Sequence, residues 1–395
     1  MTTNGTATVT TVAEADPGSP RPRFLDLHIL QTLPFSNVNR DDLGSPKTVT
    51  YGGATRTRVS SQAWKRPTRL AVETRIGERA QRTRRLPLQI AKALMERGWP
   101  EDLAELAGAQ VIRSTESKLG LDKGDRSTAS LLFLPDTAVG SLVTLAEESR
   151  DKLAKALGTK AAEKPLLPKE PIHDVLRSRN GSIALFGRML AEIPGAGVDG
   201  AVQVAHAFTT HGTSVQADFF TAVDDVDQWA TDAGSAHMNT AEYSSGVFYR
   251  YATLDLHDLA KNISDADTAR ELATEFATAF IQSLPSAKKT STAPHSIPDL
   301  VHAVVRSDRP VSLAAAFEEP VRAKSTGWGR PSRVALDAYA ARVGKLLGTA
   351  GVTYGAYASV DDDEWQGLGT RVDSYTALVD GAVSAAWPKS GSDLS

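Results

Sequence analysis

Leu25, Leu27 and Ile29 alternate with Asp26 and His28, the two-residue period of a strand with one apolar and one polar face. A loop is expected from Gln31 to Thr50, and Gly52-Gly53 turns the chain into a second strand-like run, Arg56 to Val59. Ser60 or Ser61 is a natural N-cap for the helix that follows, with Pro67 predicting a kink or a restart near Thr68. Residues 70–160 are rich in Leu, Ala, Glu, Lys and Arg and read as helices broken at Pro87, Gly98-Trp99-Pro100 and Pro135. Prolines between Lys164 and Pro171 mark a linker, and Ser182 to Phe186 reads as a strand. Further strands are expected from Ser244 to Leu256 and from Asp299 to Arg306. Asp265 to Leu284 is an amphipathic helix with Leu272, Phe276, Phe280 and Leu284 on one face, and Val311 to Arg322 is another helix. Few strands, widely separated and interleaved with helices, predict an α+β core whose connections carry large insertions.

The bulk numbers narrow this picture. The chain has 395 residues, 41% hydrophobic and 23% charged, the proportions of a globular protein. It has no cysteine, which excludes disulfides, thiolate zinc sites and cysteine nucleophiles and fits a cytoplasmic setting. Residues 1–22, threonine-rich and then Pro-Gly-Ser-rich, read as a flexible tail and not as a signal peptide or anchor. No apolar run approaches the roughly eighteen residues of a membrane span.

Charge changes the picture more. The whole chain carries a formal −3, yet residues 21–100 hold 16 Lys+Arg against 6 Asp+Glu. Within Thr55 to Arg85 the ratio is ten basic to two acidic residues. The run opens Arg56-Thr57-Arg58-Val59-Ser60-Ser61-Gln62-Ala63-Trp64-Lys65-Arg66, a basic strand passing through small polar residues into a cationic helix start. Side-chain cations beside helix N-terminal N–H groups favour a polyanion, nucleic acid first. A solvated cationic face is the plainer alternative.

Signals for chemistry are sparse. Gly195-Ala196-Gly197-Val198-Asp199-Gly200 spells the dinucleotide fingerprint, but Arg188 to Pro194 separates it from the preceding strand-like run, so a glycine-rich turn is the better account. His206 and His211 lie five residues apart, off one helical face, and no compact metal-ligand set appears. Asp224, Asp225 and Asp227 read as a solvated turn. Asp41 and Asp42 admit two readings: a Mg²⁺ ligand or base beside bound RNA, or an Asx turn or salt bridge to Arg40. No P-loop, nucleophile elbow or paired carboxylates are present, which favours a binding protein over an enzyme.

Taken together, Asn39-Arg40-Asp41-Asp42, Gly52-Gly53, Arg58-Val59-Ser60-Ser61-Gln62 and Lys65-Arg66 resemble the backbone subunit of the type I-E CRISPR surveillance complex, the CasC family of Cascade. The resemblance continues through Gly187-Arg188-Met189, Ala205-His206-Ala207-Phe208-Thr209-Thr210-His211, Phe220-Thr221-Ala222-Val223-Asp224-Asp225, Gly234-Ser235-Ala236-His237 and Ser244-Ser245-Gly246-Val247-Phe248-Tyr249-Arg250-Tyr251. It covers about residues 23–325; the tail, the 90–180 stretch and the acidic Asp361-Asp362-Asp363-Glu364 region match less, and Pro67 is off-pattern.

The resemblance implies a right hand. A ferredoxin-like, RNA-recognition palm would comprise residues 23–70, 182–204 and 241–395, with helical fingers at 71–181 and a β-hairpin thumb at 205–240. Copies would stack along a guide RNA (crRNA), gripping its sugar and phosphate while the base edges stay free for pairing. Carried over residue by residue, guide contacts fall on Arg40, Lys47, Ser60, Gln62, Lys65 and Arg69, with Met189 as an apolar wedge. Asn39, Arg58, Ser61, Arg66, Arg188, Phe208 and Thr209 complete the RNA-binding set; Met189 and Phe208 suit base separation or stacking, or else belong to the core. Lys152, Lys155, Lys160 and Lys164 form a second cationic stretch, either a duplex-DNA contact or a solvated helix face. Implied partners are crRNA, further copies, large and small subunits, the 5′ and 3′ guide-capping subunits, target DNA and a recruited helicase-nuclease, with no membrane. No catalytic residue, cofactor or metal is expected. The alternative within the same superfamily is a metal-dependent endoribonuclease using Asp41 or Asp42.

Overall fold

A computed structural model describes residues 21–122, 124–222, 237–323 and 327–387. The expected tail up to residue 20 and the Asp224-Asp225-Asp227 turn lie outside them. The first part of the chain runs β1 (Phe24–Ser36), β2 (Thr48–Tyr51), β3 (Ala54–Val59) and α1 (Ser61–Ile76). A helical excursion follows: β4 (Ala80–Thr83), α2 (Leu86–Glu96), α3 (Glu101–Arg113), β5 (Leu132–Pro135), α4 (Thr137–Glu148), α5 (Arg150–Ala156), α6 (Lys169–Arg177) and α7 (Gly181–Phe186). The chain then gives β6 (Val202–Val204), β7 (Ala207–Thr209), β8 (Gln216–Ala222), β9 (His237–Asp255), α8 (Leu256–Asn262), α9 (Ala266–Gln282) and α10 (Lys289–Thr292). It ends with β10 (Leu300–Arg306), α11 (Gly329–Leu347), β11 (Val352–Ser359), β12 (Thr370–Arg371) and α12 (Tyr375–Ala386).

The described strands form a ten-stranded sheet and a separate β4–β5 pair. In the large sheet β1 lies between β10 and β9, antiparallel to both, and β6 pairs antiparallel with β9. Followed along the chain, β1, α1, β6, β9, α9 and β10 trace a β-α-β-β-α-β path with spatial order β10-β1-β9-β6.

One face of this sheet buries Leu25, Leu27 and Ile29 against α9 and α12 through Phe276, Phe280 and Val379. The other face is not polar surface, contrary to the alternation in β1. Asp26 and His28 are fully buried, because α11 and the segment before it lay Phe317, Leu336 and Ala340 over Leu30, Tyr249 and Tyr357. Asp26 accepts from Tyr251 Oη (3.0 Å) and the Val311 N–H (2.9 Å), and His28 Nδ1 meets Tyr249 Oη at 2.9 Å. Residues 86–196 build a core of their own, centred on Ile90, Leu94, Ala104, Leu142 and Ile172.

Four local expectations are corrected. Ser182 to Phe186 is helical, because Asn180 Oδ1 caps it by accepting from the Ile183 N–H at 3.1 Å. Val311 to Arg322 holds only one 3₁₀ turn, Ala314–Phe317, the flanking Pro310 and Pro320 preventing more. The loop expected from Gln31 begins only after Ser36, and β2 interrupts it. Helix α1 runs unbroken through Pro67, and Thr68 Oγ1 donates back to the Trp64 carbonyl at 2.9 Å. The Asp265–Leu284 helix is present as α9, with Asp265 as its N-cap.

Candidate nucleic-acid interface

Strand β3 feeds directly into α1, and that junction organises the cations. Ser60 has extended backbone geometry, and its Oγ accepts from the Ala63 N–H at 3.3 Å. Asn39 Oδ1 accepts from the Ser60 N–H at 2.8 Å, and His206 Nδ1 accepts from the Ser61 N–H at 3.0 Å. The N–H groups expected to face a polyanion are therefore largely used inside the chain, and the exposed Gln62 is the junction residue left to offer one. Backbone bonds from Lys47 N to Asn39 O (3.0 Å) and from Arg58 N to Lys47 O (2.7 Å) draw the 39–47 loop beside β3. Asn39, Arg40, Lys47, Arg58 and Ser61 thus share one patch. Lys65 and Arg66 follow about 6 Å further along α1, one turn on.

Beyond Lys65 the patch reaches Arg82 on β4. Burial and then the Arg82 charge hold the Lys65 ammonium below its ordinary pKa, so the two cations lie within electrostatic range of each other. Arg82 also lines a cleft of about 690 Å³ with residues 186–191 and 197–200. Met189 stands at its rim, 91% exposed. The loop beneath it is rigidly made: Arg188 and Val198 exchange backbone bonds of 2.9 and 2.8 Å. A Cβ on Gly200 would stand 2.6 Å from the Gly187 nitrogen, so the last fingerprint-like glycine serves backbone packing, Gly195 takes a turn conformation at φ +78°, and β6 follows them in place of a helix.

Among the described residues, none of Arg40, Lys47, Arg58, Lys65, Arg66 and Arg82 has a carboxylate partner. Arg56, Arg69, Arg188 and Arg250, by contrast, point inward. Arg56 is fully buried and donates to the carbonyls of Thr209 (2.9 Å) and Phe317 (3.0 Å). Arg69 is held by Glu73 and the Ala80 carbonyl, and Glu73 also accepts from Ser182 Oγ at 2.6 Å. Arg188 is buried on the carbonyls of Ala196, Ser178 and Arg177, its pKa pulled down to about 10 by burial and then by Arg179. Arg250 lies beneath the start of α1, 3.8 Å from the Trp64 ring centre and 4.7 Å from that of Phe280. Burial alone pulls its pKa down to about 9.

Several expected RNA contacts are therefore scaffold in the free chain: Ser60, Arg69, Arg188 and Thr209, whose buried hydroxyl donates to the His211 carbonyl at 2.9 Å. Phe208 is half-buried, edge-on to Tyr51 and Tyr249, on the core side of its strand. Sequence reasoning missed His206, Arg82 and the adjacent Phe219 and Phe220, which are 61% and 43% exposed on β8. Two neighbouring aromatics in a polar stretch were the available signal for that last pair.

Lys152 and Lys155 lie on α5, Lys160 opens a separate 3₁₀ turn and Lys164 closes it, so the second cationic stretch spans two short elements. All four are exposed. Asp41 Oδ1 accepts from the N–H groups of Leu43 (3.0 Å) and Ser45 (2.9 Å), an Asx turn, while Asp42 is exposed. Among the described residues no group of three or more His, Asp or Glu gathers as a metal site, and no helix is long and apolar enough to cross a membrane.

A mixed α+β scaffold with a mostly antiparallel sheet thus presents cations that have no carboxylate partner among the described residues, near an exposed methionine. The chain belongs to the CT1975-like protein family, whose model matches residues 25–380. It is similar to a chain from a solved "CRISPR RNA-guided surveillance complex, pre-nicking", at 48% identity and a TM-score of 0.86 over 92% of this chain and 100% of that one. A chain from a second "CRISPR RNA-guided surveillance complex" is 42% identical with a TM-score of 0.76, over the same shares. No curated protein matches.

Proposed function

We propose that the chain is the non-catalytic backbone subunit of a type I-E CRISPR surveillance complex, of the CasC family. It oligomerises along crRNA, holds the sugar-phosphate chain without reading sequence, and presents the guide to target DNA in antiviral defence. The β-α-β-β-α-β path supports reading residues 23–70, 182–204 and 241–395 as an RNA-recognition-like palm, with 71–181 as fingers and 205–240 as a thumb. β7 pairs with β3 and β9 in the main sheet, so the thumb hairpin proper is β8 with the start of β9. One observation carries the reading: among the described residues Arg40, Lys47, Arg58, Lys65, Arg66 and Arg82 are left without acidic partners, while Arg56, Arg69 and Arg188 are satisfied internally. Cations of that kind suit phosphates, and Met189, Phe219 and Phe220 suit separation or stacking of bases without sequence choice.

The partners in this reading are crRNA, further copies, the large, small and guide-capping subunits, target DNA and a recruited helicase-nuclease, in the cytoplasm. Lys152, Lys155, Lys160 and Lys164 contact incoming duplex DNA. Co-expression with the neighbouring genes of its operon tests the assignment: RNA of one defined length should co-purify, and purification free of RNA would refute it. Assembled complex incubated with complementary RNA and Mg²⁺ should leave that RNA intact, both as wild type and as Asp42→Ala. Cleavage lost in the variant would move the chain to the endoribonuclease reading.

A further inference from the structure

His206 sits between β6 and β7 with its ring against the start of α1. A backbone N–H can only donate, so the 3.0 Å contact from Ser61 N fixes Nδ1 as an acceptor. Arg58 approaches the same nitrogen at 3.3 Å with a second obligate donor. The imidazole is therefore neutral and carries its proton on Nε2. Partial desolvation, then Arg58, then Lys47, hold its pKa below the ordinary histidine value, and no carboxylate of the described chain pairs with either cation. Protonation would add a third positive charge to that corner and destroy the bond to Ser61. The residue is nonetheless exposed, and among the described residues nothing accepts from Nε2. Three chain segments thus meet at one corner, two supplying charge and the third an uncharged donor of fixed tautomer.

We propose that His206 is a positioning and contact residue of the interface, fixing the Ser61 end of α1 with Nδ1 and donating Nε2–H to a phosphate oxygen of the bound strand. This rests on the reading of the ledge as an RNA-backbone site. An uncharged donor strengthens binding without releasing counterions, and that sets it apart from its neighbours. His206→Ala should weaken binding of a generic single-stranded RNA by about tenfold at every salt concentration, the worth of one hydrogen bond to a charged group. The slope of log affinity against log salt should not change. His206→Gln, which can accept with one amide atom and donate with the other, should recover most of the loss.

Full-chain variants are compared by fluorescence anisotropy across a salt series, with melting temperatures measured alongside. Unchanged affinity in His206→Ala would overturn the proposal. So would a slope flattened by about 0.7, which marks a lost cation, or a loss that Gln does not restore. Lys47→Ala in parallel separates the two levels. If it too leaves affinity and slope untouched, the RNA-backbone reading fails; if Lys47→Ala flattens the slope and His206→Ala does nothing, only the histidine assignment fails.

Discussion

Replacing Lys47, Arg58 and Lys65 together by alanine separates surface charge from scaffold charge. None of the three has a carboxylate partner in the described chain, so each is available to one phosphate. In single-strand binding each neutralised phosphate contributes about −0.7 to the slope of log affinity against log salt, so the triple variant should flatten it by about 2. Over a rise from about 50 to about 200 mM salt, the wild type should lose roughly twentyfold more affinity than the variant. Arg56→Met is the matched control, since its guanidinium is spent on the carbonyls of Thr209 and Phe317. That variant should lower the melting temperature and leave the slope alone. Anisotropy with a labelled RNA of arbitrary sequence reads both quantities on one protein preparation. The division of cations drawn above is refuted if the triple variant keeps the wild-type slope, or if Arg56→Met flattens it equally.

Three further outcomes follow from the interior. Arg250→Ala should cost about 3 kcal/mol in denaturant unfolding by stripping donors from Gln31 and the Phe280 carbonyl and opening a void under Trp64, with Arg250→Met milder; equal losses would argue against the polar part. His28 is held neutral far below its usual pKa and His302 down to about 4, chiefly by burial. The unfolded chain therefore binds more protons below about 6.5, and stability should fall from there towards pH 4, by about 2 kcal/mol at pH 5 for His302, with His28 acting in the same direction. Asp26, raised by burial, opposes this near the acid end; equal stability at pH 7 and pH 5 would contradict the argument. Gly52→Ala should be severe, about 3 kcal/mol or more, because its Cβ would stand 1.6 Å from the Glu318 carbonyl oxygen at a φ of +57°. Gly53→Ala, at φ +73° with open space around it, should cost only about 1 kcal/mol, and similar melting temperatures for the two would sink the contact argument.

What the sequence revealed depended on how local the cause was. Helix α9 was legible because its N-cap and apolar face lie within one segment. The alternation in β1 located the face that packs on α9. It could not tell that Asp26 and His28 are buried as well, since the layer covering them comes from residues about 285 positions later. The five-residue run Ser182–Phe186 is too short for periodicity to separate strand from helix; the Asn180 cap was the readable clue. At the interface, the density of cations was plain in the sequence. Their division was not, because Arg56, Arg69 and Arg188 find their acceptors in backbone carbonyls and a buried glutamate, none of which a charge count registers. The spacing of His206 and His211 speaks only to metal ligation and carries no sign that the partner of His206 is a backbone amide.

Met189 draws its significance from what lies under it. The Arg188 guanidinium and the closely packed Gly187 and Gly200 fix the backbone just before it, so little ordering of that segment is needed when another molecule comes to rest there. An apolar side chain standing on so fixed a base behaves like a mark on a ruler. Any disturbance it imposes on a strand laid across several copies would recur at the subunit spacing, whatever letters the strand spells.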